Sequence, residues 1–238
     1  MIPRFCRSRR SLLAGVRLAA VLALVALPGG GRATARGAAA PFSPPFAGPP
    51  GPGTWFVSQW YGNTQWAYET RRDLYGAGQG IHFGVDFAAP CGTPVLAIGD
   101  GVVFAVDGPY GSAPHNVVVR HPDGLYSLYG HLLERAPLTV GQSVRAGEPI
   151  ARSGDPAGPR CDLAPHLHLE VRRAAMREAV NPVPLIALDW QRATVGLRGN
   201  GLAFERDLDQ PDRWTTIDDQ PDITFGGPLV NDFPDAWP

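Results

Sequence analysis

The chain has no lysine: all 21 of its basic residues are arginine. Schiff-base catalysis, a phosphate-loop NTPase and a biotinyl or lipoyl carrier each need a lysine, so all three are excluded. The formal charge is −1 and no basic stripe occurs, which argues against a nucleic-acid partner. Long apolar runs are missing as well. The longest, residues 18–27, is well short of the ~20 residues that a membrane-spanning helix needs. There is no H-E-x-x-H protease motif, no EF-hand loop, and no cysteine with a partner at zinc-finger spacing. What is abundant is glycine (29) and proline (25), so a chain of 238 residues should be rich in turns and poor in long helices. A hydrophobic fraction of 44% with 10 Phe argues for a folded chain of one or two domains.

Residues 1–40 read as a secretory signal. Arg4, Arg7, Arg9, Arg10 and Arg17 precede or flank the apolar run, and Ala33-Thr34-Ala35 fits the A-x-A cleavage pattern. An uncleaved anchor is the alternative, and Ser8-Arg9-Arg10-Ser11-Leu12-Leu13 loosely resembles a twin-arginine signal. Cleavage after Ala35 leaves 15 Arg against 22 acids, a formal charge of −7. Cys91 and Cys161 remain, and an even cysteine count in an exported chain suggests one disulfide. Residues 41–53 are Pro/Gly-rich and read as an extended linker. Residues 54–188 form the expected domain, with clear strand signals at 93–98, 101–106, 116–121, 124–129 and 167–171. Turn pairs such as Asp107-Gly108 and Asp123-Gly124 separate them, which predicts a mainly β fold: an antiparallel sheet, sandwich or partial barrel. Only 173–180 has the pattern of a short helix. Residues 189–238 carry ten acids against four Arg and read as a solvated acidic extension packing Trp190, Phe204, Trp214 and Phe225.

The chemistry lies among the six histidines. His82 and Asp86 lie in Ile-His-Phe-Gly-Val-Asp-Phe, with apolar and polar residues alternating. A regular strand would hold positions four apart at ~13 Å, so a shared ion requires a bend, which Gly84 permits. In His166-Leu167-His168-Leu169-Glu170 the two histidines and Glu170 share one strand face while Leu167, Leu169 and Val171 enter the core. Two imidazoles ~7 Å apart along a strand can converge on one ion or one substrate atom; a surface strand with incidental histidines is the alternative. Glu170 either supports a ligand from behind or pairs with Arg172 at the surface. His131 ends the run 125–132 and, taken alone, reads as structural. His115 and His121 sit at strand ends and are assigned to no site.

Order and spacing together are specific. His82-x-x-x-Asp86, then Tyr129-Gly130-His131-Leu132, then Pro165-His166-Leu167-His168-Leu169-Glu170 resembles the lysostaphin-type (LytM-like) zinc metallopeptidases, which cut peptide bonds in bacterial peptidoglycan. The resemblance covers 80–182, with secondary matches at Asp100-Gly101-Val102-Val103, Gly141-x-x-Val144-x-x-Gly147 and Asn181-Pro182. It implies the duplicated hybrid motif, an antiparallel β structure with a long substrate groove. It implies Zn2+ held by His82, Asp86 and His168, with His131 and His166 as catalytic residues lining the cleft. Three protein ligands leave an open position, the pattern of a catalytic rather than structural zinc. The implied protein is a secreted endopeptidase acting on peptidoglycan cross-links, with no stable membrane span once matured. The alternative is a non-catalytic wall-binding or regulatory module of the same fold. The acidic extension has no counterpart in the resemblance, and a Cys91–Cys161 bridge would tie the loop after Asp86 to the loop before His166.

Overall fold

The computed structural model describes residues 40–194, 204–207, 210 and 214–233, of which 204–206 and 214 by backbone alone. Residues 1–39, nearly all of the segment read as a signal, therefore lie outside the described residues, as does Cys6. Strands form at all five expected runs, joined by others that the sequence marks less clearly. In chain order the elements are β1 (Phe56–Gln59), α1 (Gln65–Glu69), β2 (Val85–Ala88), β3 (Pro94–Leu96), β4 (Gly101–Val106), β5 (Val117–Arg120) and β6 (Tyr126–Gly130). They continue as β7 (Ser143–Val144), β8 (Pro149–Arg152), β9 (His166–Arg173), β10 (Glu178–Val180), α2 (Trp190–Thr194), β11 (Phe204–Arg206), β12 (Trp214–Thr216) and β13 (Ile223–Thr224). The fold is mainly β, as expected, and every pairing between these strands is antiparallel. The main sheet runs β1-β2-β9-β6-β5-β4-β7, with β10 and β13 added beyond β9.

Period-two patterning sorts the side chains of this sheet. Val57, Phe87, Val117, Val119, Leu167, Leu169 and Val171 enter the large core. Val118 and Leu128 point the other way and meet Met176 in a small second cluster. The β5–β6 hairpin shows why the sequence turns where it does. Gly124 takes φ +86°, and the Asp123 carboxylate accepts from the Leu125 amide at 3.0 Å.

Two expectations are corrected. Residues 173–180 are not helical: they form the turn and returning strand of the β9–β10 hairpin. Ala174, Ala175 and Met176 all have positive φ, which no helix accommodates, and Arg173 pairs with Glu178 at 2.7 Å across the strands. Residues 41–53 are not a free linker, because Phe42 and Phe46 are buried in the core and Phe42 donates its amide to Leu185 O. The acidic extension packs Phe225 and Trp190, and is held by its backbone as well. β13 joins the sheet beside β10, Asn231 is fully buried, and Phe225 packs on Phe83 at 5.3 Å. Trp190 packs on Trp60 as well, while the side chains of Phe204 and Trp214 lie outside the described residues. No helix among the described residues is long and apolar enough to cross a membrane.

Candidate metal centre

Register builds the site. In β2 Asp86 lies directly opposite His168 of β9, and on the other side of β9 His168 faces Gly130 of β6. Directly opposed residues project from the same sheet face, so Asp86 and His168 meet, with His131 at the end of β6 beside them. His82 is outside β2. The chain bends at Gly84, and His82 exchanges two backbone hydrogen bonds with Gly62, 2.8 and 2.9 Å long. The bend folds the ring back: His82 Nε2 comes to 3.3 Å from Asp86 Oδ1. Gly84 serves a second purpose, since a Cβ there would lie 2.7 Å from His168 Cε1 and 2.8 Å from Leu169 O.

His82, Asp86 and His168 thus present one donor atom each to a common point, all three residues being buried. His168 Nδ1 is 2.8 Å from Asp86 Oδ1 and 3.2 Å from His82 Nε2. Tetrahedral bonds of ~2.0–2.1 Å place neighbouring ligand atoms about 3.3 Å apart, so this triangle fits a divalent transition-metal ion. The far side of each ring agrees. His82 Nδ1 donates to Trp60 O at 2.6 Å, leaving the lone pair on Nε2. His168 Nε2 is buried without a hydrogen bond, and the closest carboxylate atom is Glu170 Oε1 at 3.4 Å. With Nε2 turned toward that anion, Nδ1 is the atom of the ring aimed at the cluster.

Charges are strongly coupled here. Burial disfavours the Asp86 carboxylate, but the His82 and His166 charges and hydrogen bonds from His168 outweigh it and hold its pKa well below the usual range. Burial alone would lower the pKa of His168; the hydrogen bond to Asp86 and the negative charges of Asp86 and Glu170 overcome it and push the value up to about 9 in the metal-free protein. His131 goes the opposite way, down to about 4, through burial and repulsion from His168 and His166.

His131 and His166 flank the cluster, with ring centroids 4.8 Å apart. Each is wired alike: His131 Nδ1 bonds Ala113 O, and His166 Nδ1 bonds Ala164 O at 2.7 Å. Each ring is therefore fixed through Nδ1, and its Nε2 is left clear of that bond. His131 sits at φ +54°, an uncommon conformation for any residue with a side chain. His166 Nε2 is 3.7 Å from Asp86 Oδ2. All five residues singled out in the sequence are brought together. His115 instead pairs with Asp107 at 3.1 Å, and His121 is buried between Asp100 O and the Ser127 hydroxyl. Two features had no local sequence signal: the Trp60 carbonyl that orients His82, and the burial of Glu170 with Arg172. Glu170 is wholly buried and Arg172 nearly so, paired at 2.6 and 2.8 Å. The Glu170–Arg172 pair is therefore no surface pair. The structure also joins Cys91 to Cys161, with their Cα atoms 6.0 Å apart.

The sequence pattern of peptidase family M23 matches residues 80–182. The chain is 41% identical over 105 residues to the DD-carboxypeptidase/endopeptidase Mpg of Neisseria meningitidis, covering 43% of this chain and 22% of that protein. It is 43% identical over 101 residues to the murein hydrolase activator EnvC of Escherichia coli, covering 42% and 22%. Over 132 residues it is 33% identical to lysostaphin of Staphylococcus staphylolyticus, covering 54% and 27%. The matched part thus spans about a quarter of the length of these relatives. Among solved structures, the catalytic domain of the prophage-encoded M23 protein EnpA from Enterococcus faecalis superposes with a TM-score of 0.44 at 29% identity, over 60% of this chain and 95% of that one.

Proposed function

Residues 80–182 belong to peptidase family M23, the lysostaphin type, and from that premise we propose that the protein is an exported zinc metalloendopeptidase hydrolysing peptide bonds in bacterial peptidoglycan. The observation that carries this reading is the convergence of His82 Nε2, Asp86 Oδ1 and His168 Nδ1 within 3.3 Å of one another, beside two further imidazoles. Zinc bound by these three side chains would polarise a carbonyl and lower the pKa of water to ~7. The rest falls to the chain's own residues. With its pKa depressed, His131 is neutral at pH 7, so its Nε2 can accept a proton. His166, fixed in the same way and close to Asp86, can hold the developing oxyanion or return a proton to the leaving amine. The matches to a murein hydrolase activator and to a DD-carboxypeptidase/endopeptidase support the substrate class.

The test is release of new amino groups from purified peptidoglycan, with and without a chelator. Chelator-sensitive release supports the enzyme, and the newly exposed amine identifies the bond cut. A second reading, a non-catalytic regulator, is favoured by the match to an activator. One tightly bound zinc with no release from walls of several cross-link chemistries would establish it.

Metal binding should also release a proton. In the metal-free protein the His168 proton is held more tightly than the ordinary value of 6.5 allows. Its stabilising contribution is full below about pH 6.5 and is lost as pH rises through about 9. Zinc must displace that proton from Nδ1. Calorimetric titrations in buffers of different ionisation enthalpy should therefore show about one proton released per zinc at pH 7, falling away above pH 9. Uptake, or no buffer dependence, would contradict the ligand assignment.

The Cys91–Cys161 bridge, expected of an exported chain, spans 70 residues and ties the loop after β2 to the loop before β9. Reducing it should destabilise the protein by about 4 kcal/mol in the chain-entropy account. Thermal melts with and without reductant, beside a Cys91→Ala variant, would check this. Unchanged melting in all three samples would show that the bridge contributes nothing.

A further inference from the structure

The acidic extension, unexplained by the family resemblance, holds the one metal-ligand candidate that no strand secures. Asp86 and His168 lie in adjacent strands, but His82 depends on two loop segments, 60–63 and 76–81. Both are gripped by residues 220–233. On the first segment, the Gln220 side chain accepts from the Asn63 amide at 2.9 Å, and its methylene and amide carbons pack against Gly62 where no Cβ would fit. Pro221 O accepts from the Tyr61 hydroxyl at 2.8 Å. On the second, Gly226 N donates to Ala77 O and Val230 N to Gln79 O, at 2.9 and 2.8 Å. Gln79 answers with its side chain, donating to Pro228 O at 3.0 Å and accepting from Thr224 N at 2.6 Å.

Asn231 closes the arrangement. Fully buried, its Nδ2 donates to Asn63 Oδ1 at 2.9 Å and to Gly80 O at 2.6 Å, so one side chain cross-links the two segments that hold His82. Gly80 has φ +86°, and a Cβ there would collide with Asn231. The acids of this stretch fasten it further: Asp222 pairs with Arg173 at 3.0 Å, and Asp232 pairs with Arg72. The consequence reaches the ligand directly, because Gly62 holds the His82 backbone and Trp60 O holds its ring.

We propose that residues 220–233 are a positioning clamp that sets His82 in the metal site, with Asn231 as its cross-link. This rests on the metal reading proposed above. Without the clamp the two segments separate and His82 Nε2 drifts from the other donors, while the sheet that carries Asp86 and His168 stays intact. The clamp thus couples the extension to metal retention, in addition to the core packing of Ile223.

The test uses Asn231→Ala and, as a variant at a half-buried position, Gln79→Ala. Zinc affinity is measured by competition with a chelator, and amide hydrogen exchange is followed in the metal-free protein. The expected result is zinc binding weakened about tenfold or more, with faster exchange at the Gly62 and His82 amides while Val118 and Leu128 keep their protection. Wild-type affinity with unchanged exchange in both variants would overturn the clamp. So would loss of protection at Val118 and Leu128 in step with Gly62 and His82, which would make the segment a general stabiliser. If the unsubstituted protein binds no zinc, the metal reading fails, and faster exchange confined to the two amides would still uphold the grip on His82.

Discussion

Replacing His168 with alanine is expected to remove the bound metal and to lower peptidoglycan hydrolysis at least about 1,000-fold, toward the level without the metal's charge and activated water. The reason is positional. His168 stands in the middle of β9, between Asp86 on β2 and Gly130 on β6, and its Nδ1 is the donor closest to Asp86. Only two ligands would remain, too few for a tight site. His131→Ala and His166→Ala should behave differently. Neither ring belongs to the three-donor cluster, so both variants should keep stoichiometric metal and lose about 10²–10⁴-fold in turnover, the range of a lost proton-transfer group. Metal content by atomic absorption, read beside amino-group release, separates the two classes. Full metal and full activity in His168→Ala would refute the ligand assignment. Metal loss in His131→Ala would move that residue from the cleft into the coordination set.

The contrast between these residues also shows what a sequence reveals. His166, His168 and Glu170 were legible because strand period alone assigns their face, and because Leu167, Leu169 and Val171 mark the opposite one. The antiparallel fold was legible for the same reason, with Asp123-Gly124 and similar pairs marking the turns. The partnership of His82 with Asp86 was half legible: the spacing demanded a bend, and Gly84 stood where one was needed. What the sequence did not disclose was long-range. Nothing near His82 announces Trp60 O, and nothing near Asn231 announces Gly80 O, 151 positions away. Composition misled as well. Proline and glycine in 41–53 read as a tether, yet Phe42 and Phe46 anchor that stretch in the core. The extension read as a solvated stretch packing a few aromatics; what did not show is that its acids meet arginines and its amides reach buried carbonyls. At 173–180, residues of fair helix propensity were overruled by the β9–β10 pairing, which buries Ala179 and Val180 against the sheet.

Glu170→Gln should be among the most damaging single changes to stability in the chain. Glu170 is wholly buried, and with the carboxylate gone the Arg172 guanidinium would keep only neutral partners: Tyr110 O at 2.9 Å, Met176 O at 3.5 Å and the face of Phe225 at 4.2 Å. Breaking one half of a buried ion pair costs about 3–5 kcal/mol. In a domain of this size that lowers the melting temperature on the order of 10 °C. Its lowered pKa has the same origin: burial opposes the charge, and Arg172 and His168 more than compensate. The stabilisation is therefore present above the ordinary carboxylate range near 4.5 and is lost as pH falls. A second consequence is separable from the first. The Glu170 carboxylate faces His168 Nε2, the atom opposite the proposed ligand atom Nδ1, and losing such a partner should weaken metal binding about 10–100-fold. The double variant Glu170→Leu with Arg172→Met removes both charges, so it should recover most of the stability, as apolar replacements of buried pairs often do. It should not recover metal affinity, because His168 Nε2 would then face hydrocarbon. Thermal melts and zinc competition on the single and double variants test both halves. Recovery of both together would mean that Glu170 acts only through stability, whereas recovery of neither would point to a fold that needs the charges themselves.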